Sequence, residues 1–237
     1  MERPTLILDA DDTLWETNVF YEEAIDAFVE RMEREGFTPE EAREVFSQVE
    51  HERVPETGYS PWEFARSMAV AYRRLCERHG LEPRPEVAEE AEAIGRRVVR
   101  YPIRLRDGVA EALPELRRRC RLLVLTKGDP EVQRDKIRRS GLAPYFDAVH
   151  VVPEKDPEVL RDLVQRYGLD PRQTWVVGDS PRSDINPALE VGLGAVHFPH
   201  ECPWAFEEVP IAAPERVVTL RSFADLLHLF PDAEGRG

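Results

Sequence analysis

Lysine is nearly missing from this chain. Of its 32 basic residues only Lys127, Lys136 and Lys155 are lysines, and residues 15–100 contain none. Arginine and lysine are not interchangeable, so a site that keeps the slimmer point charge can be one that needs it. Cysteine is scarce too. Cys76, Cys120 and Cys202 are far apart, odd in number and without metal-type spacing, and read as small buried apolar residues. No apolar run approaches the length that spans a bilayer. The start, Met1-Glu2-Arg3-Pro4, leads directly into a short strand and lacks the layout of a signal peptide. A cytoplasmic, reduced protein with no membrane partner is expected. Positive charge is in deficit as well, with a formal net charge of −14. That balance argues against a nucleic-acid partner, which would be repelled. It leaves room for a small anionic substrate whose charge is matched locally by a metal ion and a lysine.

The 237 residues allow one large domain or one domain carrying an inserted second one. Thr5-Leu6-Ile7-Leu8 reads as a buried strand running into an acidic cluster. The pattern then turns helical. Tyr21, Ile25, Phe28, Val29 and Met32 share one helical face, and Gly36 supplies a stop. Thr38-Pro39-Glu40-Glu41 has an N-cap, a first-turn proline and a capping-box glutamate, and Ser60-Pro61-Trp62-Glu63 repeats that signature. A fourth helix carries Val87, Ala91, Ile94 and Val98. These four helices are expected to form a separate unit over residues 15–100, inserted into a core of residues 1–14 and 101–237.

Beyond Gly108, short apolar strands at residues 122–125, 148–151, 175–177 and 195–198 alternate with helical stretches. That alternation implies an α/β fold with a parallel sheet and helices on both faces. Pro114 is expected to bend or shorten the helix over residues 109–118. An edge strand and a helix are expected within residues 216–230, and a frayed tail over residues 232–237. In such sheets the ligand site lies beyond the carboxyl ends of the strands.

At those ends the sequence places Asp9-Ala10-Asp11-Asp12-Thr13-Leu14, then Thr126-Lys127-Gly128-Asp129, then Glu154-Lys155-Asp156-Pro157, then Gly178-Asp179-Ser180 with Asp184 close behind. Clustered carboxylates suit a hard divalent cation such as magnesium. A lysine and a hydroxyl can hold phosphoryl oxygens as charge shifts in the transition state. One carboxylate can act as nucleophile and form an acyl-phosphate that water cleaves.

With these motifs in this order, the chain resembles the haloacid dehalogenase superfamily, in its phosphatase branch with a helical cap inserted after the first motif. The resemblance implies a Rossmann-like core and a phosphomonoesterase acting on a small phosphorylated metabolite. It makes Asp9 the nucleophile, Asp11 the acid/base, and Thr126 and Lys155 the phosphate-binding hydroxyl and lysine. It implies Mg2+ held by the Asp9 carboxylate, the Asp11 carbonyl and Asp179, with Asp184 acting through water or by orienting its neighbours. Residues 133–146, with Lys136, Gly141 and Tyr145-Phe146, resemble the family's connecting segment. Two positions depart from the pattern: Asp156 separates Lys155 from Pro157, and Lys127 stands where many relatives carry asparagine. Lys127 is either a second phosphate contact or a surface charge at a helix start. Lys136 is expected to pair on a helix face, His200 to pack in a loop or to edge the pocket, and Trp15 to pack on the hinge side rather than to stack on substrate.

The rivals fare less well. A haloacid dehalogenase lacks an acid at the position of Asp11, because halide leaves without a proton. Related phosphonate hydrolases use a cap lysine as a Schiff base, which residues 15–100 cannot supply. A phospho-acceptor receiver domain would end its third strand in aspartate, and this one does not. A phosphosugar mutase uses the same core and is the runner-up.

Overall fold

The computed structural model describes residues 3–204 and 206–232; most of the tail expected to fray, residues 233–237, lies outside the described residues. The chain divides into two compact units, Met1–Asn18 with Ile103–Gly237 and, between these segments, Val19–Pro102. The first is the α/β unit. Its six strands, β1 (Thr5–Leu8), β2 (Arg121–Lys127), β3 (Ala148–Val152), β4 (Thr174–Gly178), β5 (Gly194–His197) and β6 (Val217–Thr219), form one sheet in the order β3-β2-β1-β4-β5-β6. Every pairing is parallel, so both faces must be covered by crossover helices.

The side-chain alternation of the strands builds two cores. On one face Leu6, Leu8, Leu122, Val124 and Val177 pack with Val109, Ala112, Leu113 and Leu116. On the other, Ile7, Leu123, Leu125 and Val176 pack with Leu160, Leu163, Ile185 and Leu189. The first face belongs to α5 (Val109–Arg119), which spans the whole expected stretch despite Pro114. Proline forfeits an intrahelical hydrogen bond, but four buried apolar residues on one side keep the helix in place. Helices α6 (Pro130–Ser140), α7 (Pro157–Tyr167), α8 (Asn186–Glu190) and α9 (Leu226–Leu229) complete the unit.

Beyond β1 the chain turns sharply. Asp12 adopts a left-handed conformation with φ 61°, and its carboxylate accepts from the backbone N–H groups of Thr17 and Asn18 at 2.8 and 3.0 Å. The two segments flanking the insertion are stapled together. Trp15 pairs antiparallel with Leu105, Glu16 N donates to Arg104 O at 2.9 Å, and Arg106 N donates to Leu14 O at 3.0 Å. Trp15 is fully buried in the α/β unit, and the division expected after residue 14 falls after Asn18.

The second unit is helical: α1 (Asn18–Glu33), α2 (Pro39–Thr57), α3 (Pro61–Arg78) and α4 (Pro85–Gly95). Along α1 the buried stripe is Phe20, Ala24, Phe28, Val29 and Met32, rotated at its start from the expected face because Phe20 stacks on Tyr101 at 4.5 Å. The Thr38 hydroxyl accepts from Glu41 N, but the Glu41 carboxylate meets the His79 ring at 3.0 Å. Ser60 makes no side-chain cap, and Glu63 pairs with Arg53 at 2.6 Å. No helix of the described residues is long and apolar enough to cross a membrane.

Helices α3 and α4 approach closely at Gly95, where a Cβ would stand 2.5 Å from the Ala65 Cα and 3.1 Å from Met68 Sδ. Backbone cannot swing aside as a side chain can. Gly95→Ala should therefore lower the unfolding free energy by about 1 to 3 kcal/mol through overpacking, despite a helix-propensity gain of about 1 kcal/mol. Urea titration of the variant checks this, and an unchanged or higher midpoint would refute the close-packing argument.

Candidate active site

Five residues singled out in the sequence meet at the carboxyl end of the sheet. Asp9 follows β1 and is tied to the neighbouring strand by its N–H, which donates to Val177 O at 2.9 Å. Thr126 is buried near the end of β2. Asp179 follows β4, and Asp184 lies on the helical turn Pro181–Ile185. Lys155, from the loop between β3 and α7, reaches Asp9 Oδ1 at 2.5 Å and Asp184 Oδ1 at 2.6 Å. The inserted Asp156 has a local cause: its carboxylate accepts from Val159 N at 2.9 Å and caps α7, with Pro157 in the first turn.

Asp184 fits because residue 178 has no side chain. A Cβ at Gly178 would stand 2.2 Å from Asp184 Oδ2. Ser180 N donates to that same oxygen at 3.2 Å.

Carboxylate oxygens of Asp9, Asp179 and Asp184 lie within 4.8 Å of one another. Burial opposes the charge of Lys155, but Asp184 and Asp9 outweigh it and hold the ammonium above its ordinary range. Asp184 is pushed up to about 7 by burial and by Asp9, against the pull of Lys155. Asp179 is raised well above the usual carboxylate range, first by burial and then by Asp9, Asp184 and Asp12. One ammonium thus faces three carboxylates, two of them buried and Asp179 half-buried. A hard divalent cation suits that oxygen-only donor set and its excess negative charge, so the residues fit a magnesium ion.

Asp11 points into a cradle of donors. Trp15 Nε1 donates to its Oδ1 at 2.8 Å and Thr17 Oγ1 to the same oxygen at 2.7 Å. Gln133 Nε2 donates to Oδ2 at 2.9 Å, and Lys136 Nζ lies 2.9 Å from both oxygens. Burial favours the neutral acid, but Lys136 and the hydrogen bonds outweigh it and hold the Asp11 carboxyl below its usual range. Gln133 also donates to Thr126 Oγ1 at 2.5 Å and to Lys127 O at 3.0 Å.

Lys136 therefore corrects its sequence reading. It is buried against Asp11 rather than paired along a helix face. Gln133, Lys136 and Ile137 are the buried residues of α6, and helical spacing alone carries no signal of what that face packs against. Lys127 donates to Ser183 Oγ at 2.9 Å and pairs with Glu207, a residue the sequence reading did not single out. The His200 side chain is 4% exposed, with Nε2 2.7 Å from Glu16 Oε2 and 3.4 Å from Asp12 Oδ1, while its Nδ1 accepts from Cys202 N at 3.1 Å. Asp12, Glu16 and His200 form a second acidic–imidazole group, already bonded among themselves and to backbone.

The family model for haloacid dehalogenase-like hydrolases matches residues 4–192. The N-acylneuraminate-9-phosphatase of Mus musculus is 35% identical over 96 residues, which is 38% of this chain and 39% of that protein. The phosphoserine phosphatase of Thermus thermophilus is 34% identical over 139 residues, 54% of this chain and 55% of its own length. The chain thus spans about half the length, or less, of these curated relatives. Among solved structures, a haloacid dehalogenase-like family hydrolase from Xanthomonas campestris superimposes with a TM-score of 0.79 at 24% identity, covering 98% of this chain and 93% of that one.

Among the described residues, Lys155 is the ammonium bonded to the carboxylate group. Lys155→Met should lower the unfolding free energy in excess chelator by about 3 to 5 kcal/mol, the cost of stripping a buried pair of its partner. Added magnesium should restore part of it. Equal stability of variant and wild type in chelator would mean that the three carboxylates do not depend on this ammonium.

Proposed function

The chain belongs to the haloacid dehalogenase-like hydrolases, and we propose that it is a magnesium-dependent phosphomonoesterase that attacks a small phosphorylated metabolite with the carboxylate of Asp9. The observation that carries this reading is the pairing of two differently equipped carboxylates two residues apart. Asp9 sits in the acidic group against Lys155, while Asp11 sits in a separate cradle of donors. One is equipped to meet phosphorus and the other to handle a proton. Both curated relatives named above are phosphatases.

In this mechanism an Asp9 oxygen attacks phosphorus and the ester oxygen departs, taking a proton from Asp11. The resulting aspartyl-phosphate is then cleaved by water, whose proton returns to Asp11. A docked phosphoryl dianion raises the proton affinity of Asp11 by like-charge repulsion, and Lys136 limits that rise, so the group can both give and retake the proton. Lys155 balances Asp9 throughout, and the Thr126 hydroxyl, held by Gln133, is a donor for a phosphoryl oxygen. Asp9, Asp179 and Asp184, with the Asp11 carbonyl, would hold the magnesium ion, which supplies positive charge against the phosphoryl oxygens. The helical unit takes the role of a cap in this reading; it has no lysine and forms no Schiff base.

Phosphate release from a panel of metabolite esters tests the proposal. Turnover should require magnesium and vanish in chelator, and Asp9→Asn should remove it almost wholly while leaving the fold intact. Wild-type-like rates in that variant would end the mechanism. Asp11→Asn separates the two roles. It should slow alkyl phosphates by about a hundred- to ten-thousandfold, the usual worth of a general acid, and p-nitrophenyl phosphate far less, because nitrophenolate leaves without a proton. Equal losses on both would count against Asp11 as the acid.

A further inference from the structure

Between β5 and β6 the chain carries one carboxylate back to the site. Glu207 is buried and pairs with Lys127, the last residue of β2. It also accepts from the hydroxyls of Ser180 and Ser183, the latter at 2.6 Å. Those serines neighbour Asp179 and Asp184, and Ser180 Oγ accepts from Ser183 N at 2.9 Å. The Lys127 ammonium lies 5.9 Å from the centre of the Trp204 ring. Burial works against the Glu207 charge, but Lys127 and the two serine hydroxyls outweigh it and hold the group ionised.

A buried carboxylate beside a site for a phosphoryl dianion is unfavourable unless its own cation neutralises it. Glu207 in turn cancels the point charge that Lys127 would otherwise present next to Thr126. An anionic group arriving at this edge therefore finds no uncompensated positive charge to hold it. A neutral or ammonium-bearing group loses nothing by that cancellation.

We propose that Glu207 is a specificity-determining residue that, through Lys127, selects phosphate esters with no second negative charge next to the phosphoryl group. This rests on the phosphomonoesterase reading and adds the charge class of the substrate. It also turns Lys127 from a phosphate contact into the counter-ion of a filter.

The test compares size-matched esters that differ in charge: glycerol 3-phosphate with 3-phosphoglycerate, and phosphoethanolamine with phosphoglycolate. The quantity read is the ratio of kcat/KM for the anionic member to that for its partner. Glu207→Gln keeps a hydrogen-bonding side chain for the serines and removes the charge, so the ratio should rise by at least about tenfold, the scale of one partly screened charge contact. Lys127→Met leaves the carboxylate without its ammonium, and the ratio should fall. The double variant should lie close to the wild type. Unchanged ratios in Glu207→Gln overturn the proposal. If that variant does not fold, Lys127→Met decides, and an unchanged or raised ratio overturns it equally. Wild type that hydrolyses none of the esters overturns the phosphatase reading instead, so the two failures are distinguishable.

Discussion

The ammonium of Lys155, shared between Asp9 and Asp184, is the contact on which the site depends. Three carboxylates gathered at the ends of β1 and β4 and on the following turn would repel one another in a buried environment. The lysine lets Asp9 and Asp184 stand close while Asp179 remains beside them. Several local features serve that arrangement. Gly178 clears space for the Asp184 carboxylate, Ser180 N anchors it, and Asp156 ends the loop by capping α7, so that the side chain just before it reaches inward. An arginine would bring a wide planar fork where a compact charge is required. That accounts for a lysine here in a chain that otherwise uses arginine.

Much of this was legible in the sequence, for a physical reason. Strands buried on both faces read as short apolar runs, and residues immediately after them are fixed in space by the sheet. Asp9, Thr126 and Asp179 could therefore be placed with the strands, and the parallel α/β architecture followed from the alternation of elements. Pro114 does not shorten α5, because propensity is a local preference and the apolar face of the helix overrides it. Lys136 was misread because helical spacing identifies neighbours on one helix but not what that face packs against. Gln133 and Lys136 share a face, and only the packing of α6 turns it toward Asp11. Glu207 had no signal at all. It lies in a segment without periodicity, and its partners Lys127, Ser180 and Ser183 come from two other strand ends.

The donor cradle and the acidic group are two electrostatic compartments a few bonds apart along the chain. One holds a carboxylate against one cation and three neutral hydrogen-bond donors, and the other crowds carboxylates around a single cation. The sharp turn after β1, with its left-handed Asp12, keeps them from merging. Gln133 ties the cradle to the end of β2 by donating to Asp11, to the Thr126 hydroxyl and to the Lys127 carbonyl.

The antiparallel staple between Trp15 and Leu105, with its flanking hydrogen bonds, has a consequence for how the chain is organised in time and in evolution. It joins the two points at which the helical insertion leaves and rejoins the sheet, so residues 19–102 are equivalent, topologically, to a long hairpin turn. The entropy of closing such a loop grows only with the logarithm of its length. Lengthening, shortening or exchanging the insert therefore changes the folding cost of the sheet by little, provided the staple is kept. The closure of the sheet is thereby decoupled from the length of the chain between the two stapled points.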